Sequence, residues 1–275
     1  CAMRNEDNSL AEGVLLINFR QKPLHAFKKI WLLLRWYFLY KLPNRCFCKF
    51  VGKVDNKEVW LLELPWQEEE FAHLHFEKQR FILCQILLKA KKAGTKIAGM
   101  PMLWREVLGA RAPLAVADGR MLAFKILLKQ IKKEYPKVKD VAVIGMDSRW
   151  TRDIAPYMVA EGFNPILSGT MAMAISESLY RKEGLAVAAL QALRASEHAE
   201  LSIALKPALA SGLFGKVILF KEPAVLMEGA WYGPYFEGFF PAAMAEAIIS
   251  IGGKIKEEAE VCATSMRYFY LTKNT

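Results

Sequence analysis

Val141-Ala-Val-Ile-Gly-Met-Asp-Ser-Arg-Trp-Thr-Arg152, continuing into Asp153-Ile-Ala-Pro-Tyr-Met-Val-Ala-Glu-Gly162, decides the fold. Its apolar, β-branched start reads as a buried strand, Gly145 as a tight turn, and the rest as an amphipathic helix. That is how a nucleotide-binding βαβ unit opens. In the G-x-G-x-x-G form the first glycine makes the turn and the second admits a pyrophosphate to the backbone. The third lets helix and strand pack closely. Here Gly145 is followed by Met146, Asp147, Ser148, Arg149, Trp150 and Thr151, so the later glycines are missing. Asp147 or Ser148 stands where an N-cap would accept from the first helical turn. A carboxylate there would repel a phosphate drawn to the same helix end. Arg149 and Arg152 could still recruit an anion. Three readings stay open: a structural βαβ with a self-capped helix, an altered dinucleotide site, and a site for another small anion. The candidate cofactor-binding set is Gly145, Asp147, Ser148, Arg149, Arg152 and, from the next strand, Ser168.

Outward from this unit, strands and helices alternate. Asn164–Gly169 reads as the second strand, and its end, Ser168-Gly-Thr170, offers neither an acid for ribose hydroxyls nor an arginine for a 2′-phosphate. Met171–Glu183 reads as a helix, Leu185–Leu190 as a third strand, Glu200–Leu205 as a fourth and Glu222–Gly229 as a fifth. Such alternation predicts an α/β fold, a Rossmann-like doubly wound parallel sheet, with a smaller mixed α/β domain before it. In that earlier block Gly13–Asn18 reads as a strand, and Cys46–Val54 with Lys57–Leu64 as a hairpin turning at Asp55-Asn56. Glu68–Ala93 reads as one long helix stopped by Gly94, Lys96–Met100 as a short strand, and Asp118–Glu134 as a basic helix ending before Pro136. The expected domains are 13–137, an N-terminal α/β substrate-type block, and 138–235, the Rossmann-like block. A C-terminal helix and tail, 236–275, follows, its helix over Pro241–Ile251 packing back on the first block.

The 275 residues, 53% hydrophobic and 12% aromatic, suffice for two modest cores. The net charge of +10 gathers in lysine clusters at Lys89–Lys92, Lys125–Lys133, Lys137 and Lys139. Such clusters usually form a solvated face and also favour acidic partners, anionic lipid or nucleic acid. No aromatic-rich nucleic-acid signature accompanies them, so nucleic acid is not expected as a partner. The five cysteines, Cys1, Cys46, Cys48, Cys84 and Cys262, lack a disulfide framework and point to a reducing, cytoplasmic setting. Cys46 and Cys48 alternate on a strand as a buried thiol pair, and His73 and His75 diverge on a helix, so no metal site is expected. The first residues contain no apolar signal core. Leu24–Leu42 is apolar and aromatic, but Lys28, Lys29 and Arg35 interrupt it, which argues against a spanning helix. It would pack Trp31, Leu34 and Phe38 on the fold or lie on a membrane surface.

From about Gly13 to Ser250 the order of landmarks resembles the long-chain acyl-[acyl-carrier-protein] reductases and, more distantly, the shikimate dehydrogenase and glutamyl-tRNA reductase group. The landmarks are the Gly52–Pro65 hairpin, Lys92-Ala-Gly-Thr-Lys-Ile-Ala-Gly99, Val141–Gly145, Lys221-Glu-Pro-Ala-Val-Leu-Met-Glu-Gly229 and Phe240-Pro-Ala-Ala-Met-Ala-Glu-Ala247. The resemblance implies an NAD(P)-binding oxidoreductase scaffold. It also exposes three departures. The reductases' Gly-Ala-Thr-Gly loop is matched by Gly145-Met-Asp-Ser148, and their Thr-Thr-Gly-Asn-Ser segment by Ala117-Asp-Gly-Arg-Met121. Their nucleophilic cysteine, which follows a proline, is matched by Ala224. Thioester reduction through an acyl-enzyme needs a thiolate that attacks and later leaves, and alanine supplies none.

Two functions of different class are therefore expected. One is a degenerate scaffold that binds a small-molecule or protein ligand in a cleft, with Asp118, Arg120 and Glu228 as further cleft candidates. The run Trp231–Phe236 would line a pocket there or seal an interface. The other is a working NAD(P)-dependent oxidoreductase that transfers hydride without a cysteine, with Asp118, Lys96 or Tyr232 as general acid. Peripheral membrane contact through Leu24–Leu42 and homo-oligomerisation are compatible with both.

Overall fold

The computed structural model describes residues 13–19, 48–109, 112–235, 237–256 and 269–271. The Leu24–Leu42 segment and Cys1, Cys46 and Cys262 lie outside these residues. The chain divides into two compact units, Cys1–Gly119 with Ala224–Val261, and Arg120–Pro223 with Cys262–Thr275.

In the first unit, β1 (Val14–Phe19), β2 (Cys48–Val54), β3 (Lys57–Leu64), β4 (Ile97–Gly99) and β5 (Ala115–Val116) form one sheet in the order β2-β3-β1-β4-β5. β1 lies centrally, parallel to both β3 and β4, and its side chains are buried along almost its whole length. That explains a continuous apolar run where an edge strand would alternate. The β2–β3 hairpin turns at Asp55-Asn56, with Asp55 at φ +52°, a left-handed position that Asp tolerates. The expected single helix over Glu68–Ala93 is two: α1 (Glu68–Ala72) and α2 (Phe76–Lys92). The break is held by Gln79, whose buried amide donates to the carbonyls of Phe71 (3.0 Å), Ala72 (3.0 Å) and Leu74 (2.7 Å). It satisfies the carbonyls that a helix end leaves open. α3 (Met102–Leu108) brings Trp104 against Phe19 and Phe71, with ring centroids 4.8 and 4.9 Å away.

The second unit opens with α4 (Arg120–Glu134), which buries Ala123, Phe124, Leu127, Leu128 and Ile131. Then come β6 (Asp140–Ile144), a 3-10 turn (Arg149–Asp153), α5 (Ile154–Ala160), β7 (Asn164–Ser168) and α6 (Ala172–Glu183). β8 (Ala188–Ala189), α7 (Ala192–His198), β9 (Leu201–Ala204) and β10 (Gly215–Leu219) complete the set. The strands run parallel in the order β10-β9-β6-β7-β8. Counted within the unit and read from β8, that is 3-2-1-4-5, the doubly wound order of Rossmann-like folds. The α/β expectation holds, but its fifth strand is β10, not Glu222–Gly229.

Beyond Pro223 the chain re-enters the first unit. β11 (Ala224–Leu226) pairs antiparallel with β12 (Phe239–Pro241), apart from the parallel sheet. α8 (Ala242–Ile249) packs on β4 and β1. Contact is so close that a Cβ on Gly99 would sit 2.9 Å from Met244 Cα. β13 (Phe269–Leu271) adds antiparallel to β10 in the second unit. The divisions fall at Gly119/Arg120 and Pro223/Ala224, where the sequence suggested 137/138 and 235/236. α4 joins the second unit because its apolar face packs there, with the Phe124 ring 6.1 Å from that of Phe220.

Candidate functional site at the switch point of the doubly wound sheet

β6 and β9 are neighbours, and from them the chain proceeds to opposite sides of the sheet. Doubly wound sheets take ligands at the carboxyl ends of such a pair. The residues there are Gly145, Met146 and Asp147 after β6, and Leu205 and Lys206 after β9. The end of β7 contributes Ser168, Gly169 and Thr170.

Gly145 adopts φ +99°, which favours glycine, and a Cβ on it would meet Leu209 Cδ1 at 2.6 Å. Its N–H donates to the Ser168 carbonyl at 2.8 Å, and the Met146 N–H donates to the same oxygen at 2.9 Å. The Asp147 N–H turns back to the Gly145 carbonyl at 2.9 Å, and the Met146 carbonyl accepts from Met171 N–H at 2.9 Å. Met146 is fully buried. Gly169, at φ +143°, is the position of closest approach, since a Cβ there would lie 2.4 Å from Met146 N. A glycine that permits backbone contact is thus present, but what it admits is the neighbouring loop.

Asp147 does not cap the following helix. Its carboxylate accepts from Thr170 N–H at 3.0 Å and Thr170 Oγ1 at 3.1 Å, and from Lys206 Nζ at 3.3 Å. The Thr170 backbone N–H, above all, holds its carboxyl below the usual range; partial desolvation opposes this, while the Thr170 hydroxyl and Lys206 assist. Ser148 occupies the N-cap position of the 3-10 turn, but its side chain makes no capping bond. Its carbonyl accepts from Thr151 N–H (3.1 Å) and Oγ1 (2.6 Å). Trp150 turns from the loop to stack on Phe220 at 5.7 Å, with the Arg120 guanidinium over its ring, also at 5.7 Å. Arg149 lies in the 3-10 turn, and Arg152 is exposed.

The second unit thus holds Gly145, Asp147, Ser148, Arg149, Arg152, Ser168 and Arg120, while Asp118 and Glu228 belong to the first. Asp118 is half-buried after β5, just before Gly119, whose N–H donates to the Glu246 carboxylate at 2.6 Å. Glu228 lines an open groove of about 600 Å³ with Ile249, Gly253, Lys254 and Ile255. Trp231 and Tyr235 are buried in the first unit's own packing against Phe240, at 4.7 and 4.5 Å. Lys206 was missed by the sequence reading. It follows the apolar run Leu201–Leu205, and only the pairing of that strand beside β6 gives it meaning. Among the described residues no group of three His, Cys, Asp or Glu side chains could hold a metal, and no helix is long and apolar enough to cross a membrane.

No family model and no curated protein matches the chain. Among solved structures it is similar to NAD-bound quinate dehydrogenase from Corynebacterium glutamicum, with TM-score 0.33 and 10% identity, covering 71% of each chain. A second is a putative Asp/Glu racemase from Yersinia pestis, with TM-score 0.28 and 12% identity, covering 76% of this chain and 93% of that one. A third is L-tryptophan dehydrogenase from Nostoc punctiforme, with TM-score 0.29 and 10% identity, covering 74% and 61%. At these scores the fold assignment stands on strand order, and no activity transfers.

Proposed function

We propose that the protein is a catalytically reduced member of the Rossmann-like class, which binds a small polar ligand or a protein partner and does not reduce thioesters. The observation that carries this reading is the double donation from Gly145 and Met146 N–H to the Ser168 carbonyl. In a working dinucleotide loop, backbone amides of this turn and helix start face the pyrophosphate. Here the Gly145 amide continues the β6–β7 ladder, the Met146 amide shares its acceptor, and the Asp147 carboxylate adds negative charge beside the turn, which supports a poor fit to a dinucleotide. The thioester route lacks its nucleophile as well. Ala224 lies in β11, and burial pushes the Cys48 thiol up to about 11, leaving almost no thiolate near neutrality. The exposed rim of Asp147, Thr170 and Lys206 is the polar surface left for a ligand at the switch point.

Titration calorimetry with NADPH and NADH, at low and at moderate salt, tests the reading. The expected result is no saturable heat, or weak heat that added salt removes, as for loose attraction to a basic surface. Saturable micromolar binding at both salts would overturn it in favour of an NAD(P)-dependent oxidoreductase without a cysteine.

A further inference from the structure

Between Arg120 and Pro223 the net positive charge comes from one stretch. Residues 125–139 contain six lysines and one glutamate, whereas the rest of 120–223 contains nine Lys or Arg and nine Asp or Glu. The excess therefore belongs to α4 and the turn that follows it. Lys125, Lys129 and Lys132 stand at i, i+4 and i+7, opposite the buried face of Phe124, Leu127, Leu128 and Ile131. They form a row about 10 Å long on the solvent side. Lys137 and Lys139, both exposed, continue the charge toward β6. Lys132 is 3.3 Å from the Glu161 carboxylate, but Lys129, Lys137 and Lys139 form no ion pair with a described residue.

We infer that this lysine face of α4 docks the protein on an anionic lipid surface. The row is built of lysine alone, a point charge on a flexible stem, which suits diffuse charge on a plane. Specific nucleic-acid recognition favours the planar fork of arginine. Single-stranded nucleic acid also needs open aromatic faces for stacking. The two tyrosines beside the row do not offer them: Lys216 Nζ lies 3.3 Å from the Tyr135 ring centroid and Lys125 Nζ 5.1 Å from that of Tyr157.

The test is co-sedimentation of the full chain with phosphatidylcholine vesicles, with and without a third of phosphatidylserine. Binding is expected only to the anionic vesicles, falling with salt. Each lysine near such a surface contributes about fivefold, so K129Q/K137Q/K139Q should weaken partition on the order of a hundredfold. The corresponding Lys→Arg triple should keep it, and K182Q/R194Q/K221Q, elsewhere on the unit, should leave it nearly unchanged. Equal binding by the wild type and the K129Q/K137Q/K139Q triple would overturn the assignment, as would absence of binding to anionic vesicles. Lysine-dependent binding to duplex DNA without vesicle binding would overturn it too, and move the face to nucleic acid.

Discussion

Gly145 and Asp147 occupy the switch point for reasons of local chemistry. With φ at +99° and Leu209 against the Cα, Gly145→Ala meets both backbone strain and a clash. It should cost about 1–3 kcal/mol in urea unfolding; an unchanged midpoint would mean that the turn relaxes freely. Asp147 has a folded pKa below its ordinary value of 3.8. The stability it contributes is thus present at neutral pH and is lost as pH falls through the lowered folded value. Asp147→Asn removes it. Because the carboxylate and Lys206 are partly exposed, the loss at pH 7 should be about 1 kcal/mol or less. The gap between variant and wild type should close on acidification below about 3.8, as read by denaturation at pH 7 and pH 3. A gap that widens on acidification would contradict this account.

Elements differ in how far their sequence reveals them. The Asp55-Asn56 hairpin and strands β1, β6 and β7 are legible because period, β-branching and turn residues agree locally. The α1–α2 break is not, since the pattern from Glu68 onward stays helical and the break depends on Gln79 reaching back to three carbonyls. Gln79→Ala should leave the Ala72 and Leu74 carbonyls short of a donor, while Phe71 keeps the Leu74 N–H, and cost about 1–3 kcal/mol, read as a lower urea midpoint. Strand β10 is not distinguished in the sequence from the run at Glu222–Gly229, whose Ala-Val-Leu-Met core also reads as a strand. Hydropathy marks an apolar core in each run but not which sheet it joins. At the site, Gly145, Asp147 and Ser168 were legible from the strand-turn pattern. Lys206 and Leu209 were not, because they arrive from β9, about sixty residues later.

For the whole molecule, the informative fact is that the chain leaves its first unit at Gly119 and re-enters it at Ala224. Ala224 therefore belongs to the antiparallel β11–β12 ladder of the first unit. The Gly145 turn belongs to the second. Ala224→Cys would supply a thiol that an acyl thioester could modify, but reduction also requires a hydride donor held at a loop whose Gly145 and Met146 amides already bond Ser168. The variant is expected to react slowly with acyl thioesters, with acyl transfer seen by mass spectrometry, and to show no NADPH oxidation above the wild type. Stoichiometric NADPH consumption by Ala224→Cys would overturn the proposed reading. The closed loop would then have to open on binding, at the expense of two backbone hydrogen bonds, each contributing about 1 kcal/mol.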